Sequence, residues 1–449
     1  MDEGMQEHTP QDRLFTRLAM FLLPTALCLS MLAAACGESI PIPLLQPTAT
    51  ATYLPTATPT SVVAPTATLP PTATPTPIVA ADEALQEGLR HQRNGDYQAA
   101  VGVYQGILAG FPGSAEARHA LYHLAEVYAL DHNYSAAVDA LLQFRDAYPD
   151  DERYPFTTFR LATAYENLGL WDEAIAAYQE YGEQRTIISD YIHLNIAYAL
   201  LELERYEESR EEFGEVLNLA PPLTLQQQAL RNMALASRYL DEYEQAISYY
   251  GQLLDKTQED ASRAETLYQM AVTYQEWEYQ DQAVQTFTQL AKEYPRTYQA
   301  YQALEALDAL EVTAVTPFER GLIYYYNGLY DPAVVAFYDH IEEVEDTAQA
   351  HYYSALAYRG YDAYYLSIDE LQTIIDDFPS SDLVGDAWME IGRSWILIGN
   401  NDSAINTYQQ FFSSLPQDPL ADDAQWKLAN LLEDDGEWEQ ASAAYRGLV

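Results

Sequence analysis

A ten-residue phrase recurs along this chain and limits what it can fold into. It reads Gly169-Leu170-Trp171-Asp172-Glu173-Ala174-Ile175-Ala176-Ala177-Tyr178: a turn glycine, an aromatic, then a small residue and a second aromatic four positions apart. It returns as Gly95-Asp96-Tyr97 with Ala100 and Tyr104, as Gly328-Leu329-Tyr330 with Ala333 and Phe337, and as Gly436-Glu437-Trp438 with Ala441 and Tyr445. Residues four apart share one helix face. Repetition of such a unit predicts stacked helix pairs, each burying its apolar face on its neighbours, rather than one closed core with a single pocket.

The phrase resembles the second half of a tetratricopeptide repeat. In that family helix A carries a small residue at position 8 and a large one at 11. Helix B carries an aromatic near 17, a small residue at 20 and a large one at 24, and a proline closes the unit. Small residues let the two helices approach, and the large ones fill the space beside them. Position 8 is filled by Gly88, Ala125, Ala162, Ala197, Ala234, Ala271, Gly321, Ala355, Gly392 and Ala429. Position 24 is filled by Tyr104, Leu141, Tyr178, Phe213, Tyr250, Phe287, Phe337, Leu371, Tyr408 and Tyr445. The resemblance implies an all-α, TPR-like α-solenoid of antiparallel helix pairs, wound as a right-handed superhelix and preceded by a signal segment and a Pro/Thr-rich linker.

The step between repeats is 37 residues from Gly88 to Ala125, and again from Ala125 to Ala162, Ala197 to Ala234, Ala234 to Ala271, Ala355 to Gly392 and Gly392 to Ala429. A standard repeat is about 34 residues. The surplus falls after the closing proline, in Pro112-Gly113-Ser114, Pro149-Asp150-Asp151, Pro379-Ser380-Ser381 and Pro416-Gln417-Asp418. Each reads as a helix stop followed by Ser or Asp as the next N-cap. One step is 50 residues, from Ala271 to Gly321. The added stretch Tyr301–Leu310 is helical in period, and Glu311–Thr316 is rich in Val and Thr before Pro317 opens a helix. An extra helix and a joint in the superhelix near 311–316 are expected there.

The N-terminus has a different character. Arg13 and Arg17 precede an apolar run from Leu18 to Ala35, and Ala33-Ala34-Ala35 lead directly to Cys36. A short positive region, an apolar core and small residues make an export signal. With cysteine next in line it resembles a bacterial lipoprotein signal, in which that cysteine carries the lipid; Ala33 stands where the usual pattern has a larger residue, and Pro24 interrupts the run. The alternative is an uncleaved membrane anchor. Either way the bulk is expected to be exported and tethered to the extracytoplasmic face of a bacterial membrane. Residues 41–79 hold no charged side chain and consist mostly of Pro, Thr and Ala. Proline at that density excludes helix and central strand, so an extended stalk on the order of 100 Å is expected. The expected divisions are 1–36 signal or anchor, 37–80 disordered linker, 81–310 six repeats plus an extra helix, and 311–449 four repeats with the last incomplete.

The chain has 22 Lys+Arg against 68 Asp+Glu, for a net charge of -46. Such a surface repels phosphate backbones, so no nucleic-acid partner is expected. It either serves as a solvated acidic surface or selects a cationic partner. Cys28 lies inside the apolar run, so the mature protein has no disulfide and no cysteine metal site. His119 and His123 stand four apart on a helix, a spacing that can hold zinc, yet no third ligand matches them. No metal and no cofactor are expected.

Helix A positions 2, 5, 9, 12 and 13 face the concave groove in the tetratricopeptide family. They place Tyr122, Phe159, Tyr191, Tyr198, Tyr239, Tyr268, Tyr325 and Tyr352 there, together with Arg231, Arg238, Arg359 and Arg393. Aromatics with arginine suit a peptide or a glycan strand; the same residues also suit helix packing and local ion pairs. Three stretches, Phe318–Gly328, Ala350–Ala355 and Gly385–Trp388, resemble the superhelical N-terminal domain of exported lytic murein transglycosylases. The acid of that family is a glutamate followed by serine, with Gly-Leu-Met-Gln downstream. Here Glu38-Ser39 lies beside the signal, Ser209 of Glu208-Ser209 fills packing position 20, and Gly-Leu-Met-Gln does not occur. No general acid can be named. Val449 falls before the closing proline of the tenth unit, so either a catalytic domain is expected beyond it or the exposed end packs on a partner or a second copy. The two readings are an exported lipid-anchored scaffold for envelope proteins, not itself an enzyme, and the peptidoglycan-binding portion of a longer transglycosylase.

Overall fold

A helix pair forms wherever the recurring phrase occurs. The structure is a computed structural model, and it describes residues 80–184 and 187–447. Cys36, the signal segment and the Pro/Thr linker lie outside the described residues. Every element among the described residues is an α-helix. The first six pairs are α1 (Ala81–Asn94) with α2 (Tyr97–Gly110), α3 (Ala115–Leu130) with α4 (Tyr134–Ala147), α5 (Tyr154–Asn167) with α6 (Trp171–Gln184), α7 (Ser189–Glu202) with α8 (Tyr206–Asn218), α9 (Leu223–Tyr239) with α10 (Tyr243–Lys256), and α11 (Asp260–Glu276) with α12 (Gln280–Glu293). A single helix, α13 (Tyr298–Ala309), follows. The last four pairs are α14 (Pro317–Tyr326) with α15 (Tyr330–Glu343), α16 (Ala348–Gly360) with α17 (Tyr364–Asp377), α18 (Val384–Ile398) with α19 (Asn401–Ser414), and α20 (Ala421–Asp434) with α21 (Trp438–Arg446). Each helix packs chiefly on the helices before and after it, which makes the array an α-solenoid.

The position-24 side chains hold each pair together. Tyr104, Tyr178, Phe213, Phe287, Phe337 and Tyr408 are fully buried. Where position 8 is glycine, the ring sinks against the backbone of helix A. A Cβ on Gly392 would meet the Tyr408 ring at 2.4 Å, and one on Gly321 would meet Phe337 at 2.4 Å. Glycine is needed at those two positions for close approach rather than for flexibility.

Helix A ends in each pair on one left-handed residue, whose N–H and that of the next residue cap the last carbonyls. Gly95 N–H donates to Gln92 O at 3.2 Å and Asp96 N–H to His91 O at 2.9 Å. Gly169, Gly328, Gly399 and Gly436 fill the equivalent place with φ between 70° and 83°. The other repeats put His132, Glu204, Asp241, Glu278 and Asp362 there, with φ between 57° and 65°. The turn is therefore fixed by the helices that flank it, and non-glycine residues are held in it against their preference.

At the start of helix A, the expected N-caps divide into two kinds. Ser114 Oγ accepts from Ala117 N–H at 3.0 Å and caps α3 as anticipated. The other three lie further from their helices. Asp151 accepts from Arg153 N–H at 2.9 Å, Ser381 from Leu383 N–H at 3.2 Å and Asp418 from Leu420 N–H at 2.8 Å. Each bonds two residues on and closes a tight turn that feeds the helix, the competing local geometry open to Ser and Asp.

α13 ends as a helix A does. Glu311 takes φ 56°, and Val312 N–H reaches Leu307 O at 2.9 Å. No helix B follows. Counting back from that turn puts Leu304 at position 8, and Leu304 and Leu307 are buried although no helix B of their own repeat supplies a position-24 side chain. The core continues instead through Val315 and Ile323, which join the cluster built on Phe287 and Leu290. Thr316 then caps α14 in a reciprocal box with Glu319, and Pro317 is its first residue.

Replacing Gly399 by alanine is expected to cost about 1 kcal/mol, because the left-handed turn penalises a Cβ. Glu278→Gly is expected to leave stability unchanged or raise it by about 0.5 kcal/mol, as relief of the same penalty exceeds glycine's chain entropy. Urea midpoints followed by circular dichroism check both; a loss for Glu278→Gly would show that the glutamate side chain holds the turn.

Candidate functional site

The residue three before position 8 is large in every repeat. The series runs Leu85, Tyr122, Phe159, Leu194, Arg231, Tyr268, Tyr301, Phe318, Tyr352, Met389 and Trp426, with Tyr301 contributed by α13. Stacked helix pairs bring this row along one side of the array. Leu194 is buried, most of the aromatics are half-buried, and Trp426 is 54% exposed.

Between α3 and α5 the row opens into a cavity of about 320 Å³ lined by Tyr122, Phe156, Phe159, Arg160 and Thr163. Its walls are held firmly. The Phe159 ring lies 5.8 Å from Tyr178 and 5.2 Å from Tyr181, and Tyr122 lies 5.7 Å from Phe144. The Arg153 guanidinium sits 4.9 Å over the Tyr122 ring, with Arg160 at 5.7 Å. Phe156 is 45% exposed at the mouth. Arg160 is tied to Glu126 on α3 at 2.5 Å, and Glu126 also meets His123 at 2.8 Å. Burial pushes the Glu126 carboxyl up, but His123, Arg160 and Gln92 outweigh it and hold it below its usual value. The cavity is thus apolar inside with a neutralised rim.

The twelve groove residues expected from the sequence are spread over eight A helices, from Tyr122 on α3 to Arg393 on α18, and do not form one site. Tyr191 is 49% exposed. Tyr239 stacks on Tyr206 at 4.6 Å, Tyr268 packs 6.0 Å from Phe287, and Tyr352 meets Tyr353 edge-on at 5.9 Å. Tyr198 accepts from Asn232 Nδ2 at 3.2 Å, and Tyr325 lies 5.8 Å from Tyr353. The arginines differ more sharply. Arg238 is nearly buried and grips Glu276 of the next helix A with Nε at 3.0 Å and Nη2 at 2.7 Å, while Nη1 donates to Gln269. Arg359 pairs with Glu390, which also takes Arg393 at 3.0 Å. Burial and the neighbouring Arg393 push Arg359 below its ordinary value. Arg231 is exposed.

These pairs follow a rule. Arg118 meets Asp151 at 3.6 Å, Arg145 meets Glu180 at 2.5 Å, Arg205 meets Asp172 at 3.5 Å, and Arg210 meets Glu242. Each joins a cation to a carboxylate one repeat away. The Arg153 hydrogen bond brings the Asp151 carboxyl down to about 2. Among the described residues seven arginines pair with a carboxylate of a neighbouring repeat, and with 68 Asp+Glu against 22 Lys+Arg the accessible charge is overwhelmingly negative.

His119 and His123 do not share a ligand. His119 Nδ1 lies 3.0 Å from Arg153 Nη1, whose charge, after burial, helps hold the imidazole below its usual value. Among the described residues no three His, Cys, Asp or Glu side chains are grouped to hold a metal. Phe156, Arg160, Thr163 and Glu126 were not singled out from the sequence. The 37-residue step from Tyr122 to Phe159 was the available signal, since it places two aromatics on adjacent helices at one height.

The architecture defines a repeat solenoid of stacked helix pairs. Tetratricopeptide-repeat models match residues 85–152 and 398–449, 158–185 and 265–297, 229–264, and 191–222. Together these cover more than half of the sequence, and the chain belongs to the tetratricopeptide-repeat family. No curated protein is significantly similar to it. Similar solved structures include the MamA protein, at 17% identity over 39% of this chain and 91% of that one, TM-score 0.34. They also include Naa15/Naa10 bound to HypK-THB, at 14% identity over 82% and 68%, TM-score 0.37. Pseudomonas aeruginosa pilF matches at 21% identity over 51% and 97%, TM-score 0.32. Likeness at these scores bears on no function.

Truncating Arg238 to alanine is expected to destabilise the array by about 2 kcal/mol, less than for a fully buried pair because Glu276 is partly solvated. Arg231→Ala is expected to change stability by less than about 0.5 kcal/mol. Thermal denaturation of the two variants separates a structural arginine from an available one.

Proposed function

We propose that this protein is an exported, lipid-anchored scaffold whose repeat array binds other proteins of the cell envelope. The observation that carries the binding role is the aromatic cavity between α3 and α5, a preformed apolar site on an otherwise acidic surface. Cavities of this size accept one or two apolar side chains of a partner. With many of its few cations held in ion pairs, the net charge of -46 steers and retains cationic segments. The partner that fits is a protein segment with an aliphatic or aromatic anchor flanked by Lys or Arg. The export reading is supported by the Arg13 to Cys36 pattern and the uncharged Pro/Thr stretch behind it. Lipid on Cys36 would tether the array, with the linker as its spacer.

A second reading is favoured by one cluster. Tyr325, Tyr326 and Tyr353 lie within 6.4 Å of one another, ring to ring, and Arg296 sits 4.7 Å over Tyr326. Tyrosine faces and hydroxyls suit sugar rings as well as peptide, which keeps the peptidoglycan-binding portion of a lytic transglycosylase as the alternative. An in-frame lysozyme-like domain downstream of codon 449 would support the alternative; an immediate native stop codon would sink it.

Thr163→Trp, which fills the cavity from its wall, is expected to strip most partners captured by the full-length protein from solubilised envelope. Retention of every partner would remove the cavity from the function. Cys36→Ser is expected to abolish incorporation of labelled fatty acid and release the protein from membranes; unchanged membrane association of that variant would instead support an uncleaved anchor.

A further inference from the structure

Away from the cavity, one histidine is built into the array with both ring nitrogens facing acid. His351, in the first turns of α16, is 8% exposed. Its Nδ1 lies 2.6 Å from Oε2 of Glu370 on α17, itself 8% exposed, and its Nε2 lies 2.9 Å from Oδ1 of Asp346 in the loop between α15 and α16. Tyr338 of α15 donates its hydroxyl to the other oxygen of Glu370, and Tyr358 of α16 interacts with Tyr338. The Phe378 ring closes the remaining side at 5.8 Å. A neutral imidazole has one N–H and one lone pair, so it can donate to only one of two carboxylates. The imidazolium donates to both, and it also compensates the buried Glu370 charge.

We propose that His351 is a pH-sensitive latch that, as the imidazolium, ties the α15–α16 loop to α17 and lets the loop go when it loses its proton. The loop is otherwise weakly held. Val344 and Glu345 hang from the His340 carbonyl at 3.0 and 2.9 Å, Thr347 caps α16, and Val344 is 59% exposed. Glu370 keeps its Tyr338 bond in either state, so the release falls on Asp346 and the loop rather than on α17. The residue next to His351 is Tyr352, so the latch sets how firmly the start of α16 presents its side chains.

The direction follows from the surroundings. Burial alone would lower the affinity of His351 for its proton, but the hydrogen bonds and charges of Glu370 and Asp346 outweigh it and hold the group above its ordinary value. A group raised on folding stabilises the fold in full below its unfolded value, about 6.5, and the benefit is lost as pH rises through the folded value. The latch is therefore closed in mild acid and opens towards the alkaline side.

The test uses the full chain. In a histidine NMR titration, His351 is expected to titrate above the exposed histidines, and Asp346→Asn, a change at a residue whose side chain is 58% exposed, is expected to bring its midpoint down. His351→Gln is expected to lower Tm at pH 6 and to converge on the parent protein by pH 9. Titration of His351 at or below the exposed histidines would overturn the latch. An equal Tm loss at both pH values would also overturn it, since that is the mark of a packing role only.

Discussion

Everything in this fold depends on one contact: a large side chain at position 24 of helix B lying against a small residue at position 8 of helix A. It sets the separation of the two helices. Ala162 beneath Tyr178 and Gly392 beneath Tyr408 are two depths of the same contact, and in both the ring is completely buried. Once the pair is fixed, its remaining apolar faces have a defined geometry to offer the neighbouring pairs. The nine described clusters of buried residues are mostly shared between one repeat and the next. The turn between helices is subordinate to this contact. Glu278 or Asp362 is tolerated in a left-handed conformation because the flanking helices are already committed.

The electrostatics follows the same nearest-neighbour logic. Carboxylates outnumber cations roughly threefold, and that excess opposes compaction. The arginines are placed where they act on the fold most directly, across repeat boundaries, as with Arg145 to Glu180 and Arg238 to Glu276. Partly buried pairs of this kind are screened little by salt. Interactions between exposed charges are screened over about 8–10 Å at physiological ionic strength. The more buried of the charges that position repeats, such as Arg238, thus keep their hold at ionic strengths that weaken the exposed ones.

The helix pairs were legible because their cause is periodic: small and large residues recurring at a fixed step leave few alternatives. The interaction surface was less legible for a physical reason. A groove position states which way a side chain starts, not what it meets. Arg238 and Arg359 occupy groove positions as Arg231 does, but a glutamate on the following helix A captures each of them, 38 and 31 residues further on. Their capture depends on long-range geometry that no local pattern carries. Likewise Ser381 and Asp418 have the identity of N-caps and the position of turn residues, a difference of two positions that only the start of the helix decides. His351 was invisible for the same reason: its two acids come from a loop and from another helix.

The half repeat at α13 shows which part of the unit the array retains. Its helix B is missing, and the apolar surface that helix would have covered is managed locally by Leu304, Leu307 and Val315. A closed core could not lose a helix this way; a solenoid can, because each unit answers only to its neighbours. What survives is helix A with Tyr301 in the row that runs from Tyr122 to Trp426. The row therefore passes from Tyr268 on α11 to Phe318 on α14 without omitting a large side chain. Helix B supplies the aromatic that braces a repeat, whereas helix A supplies both the packing position and the row. A unit reduced to helix A keeps the surface and gives up only the brace, in line with the proposed binding role of the A helices.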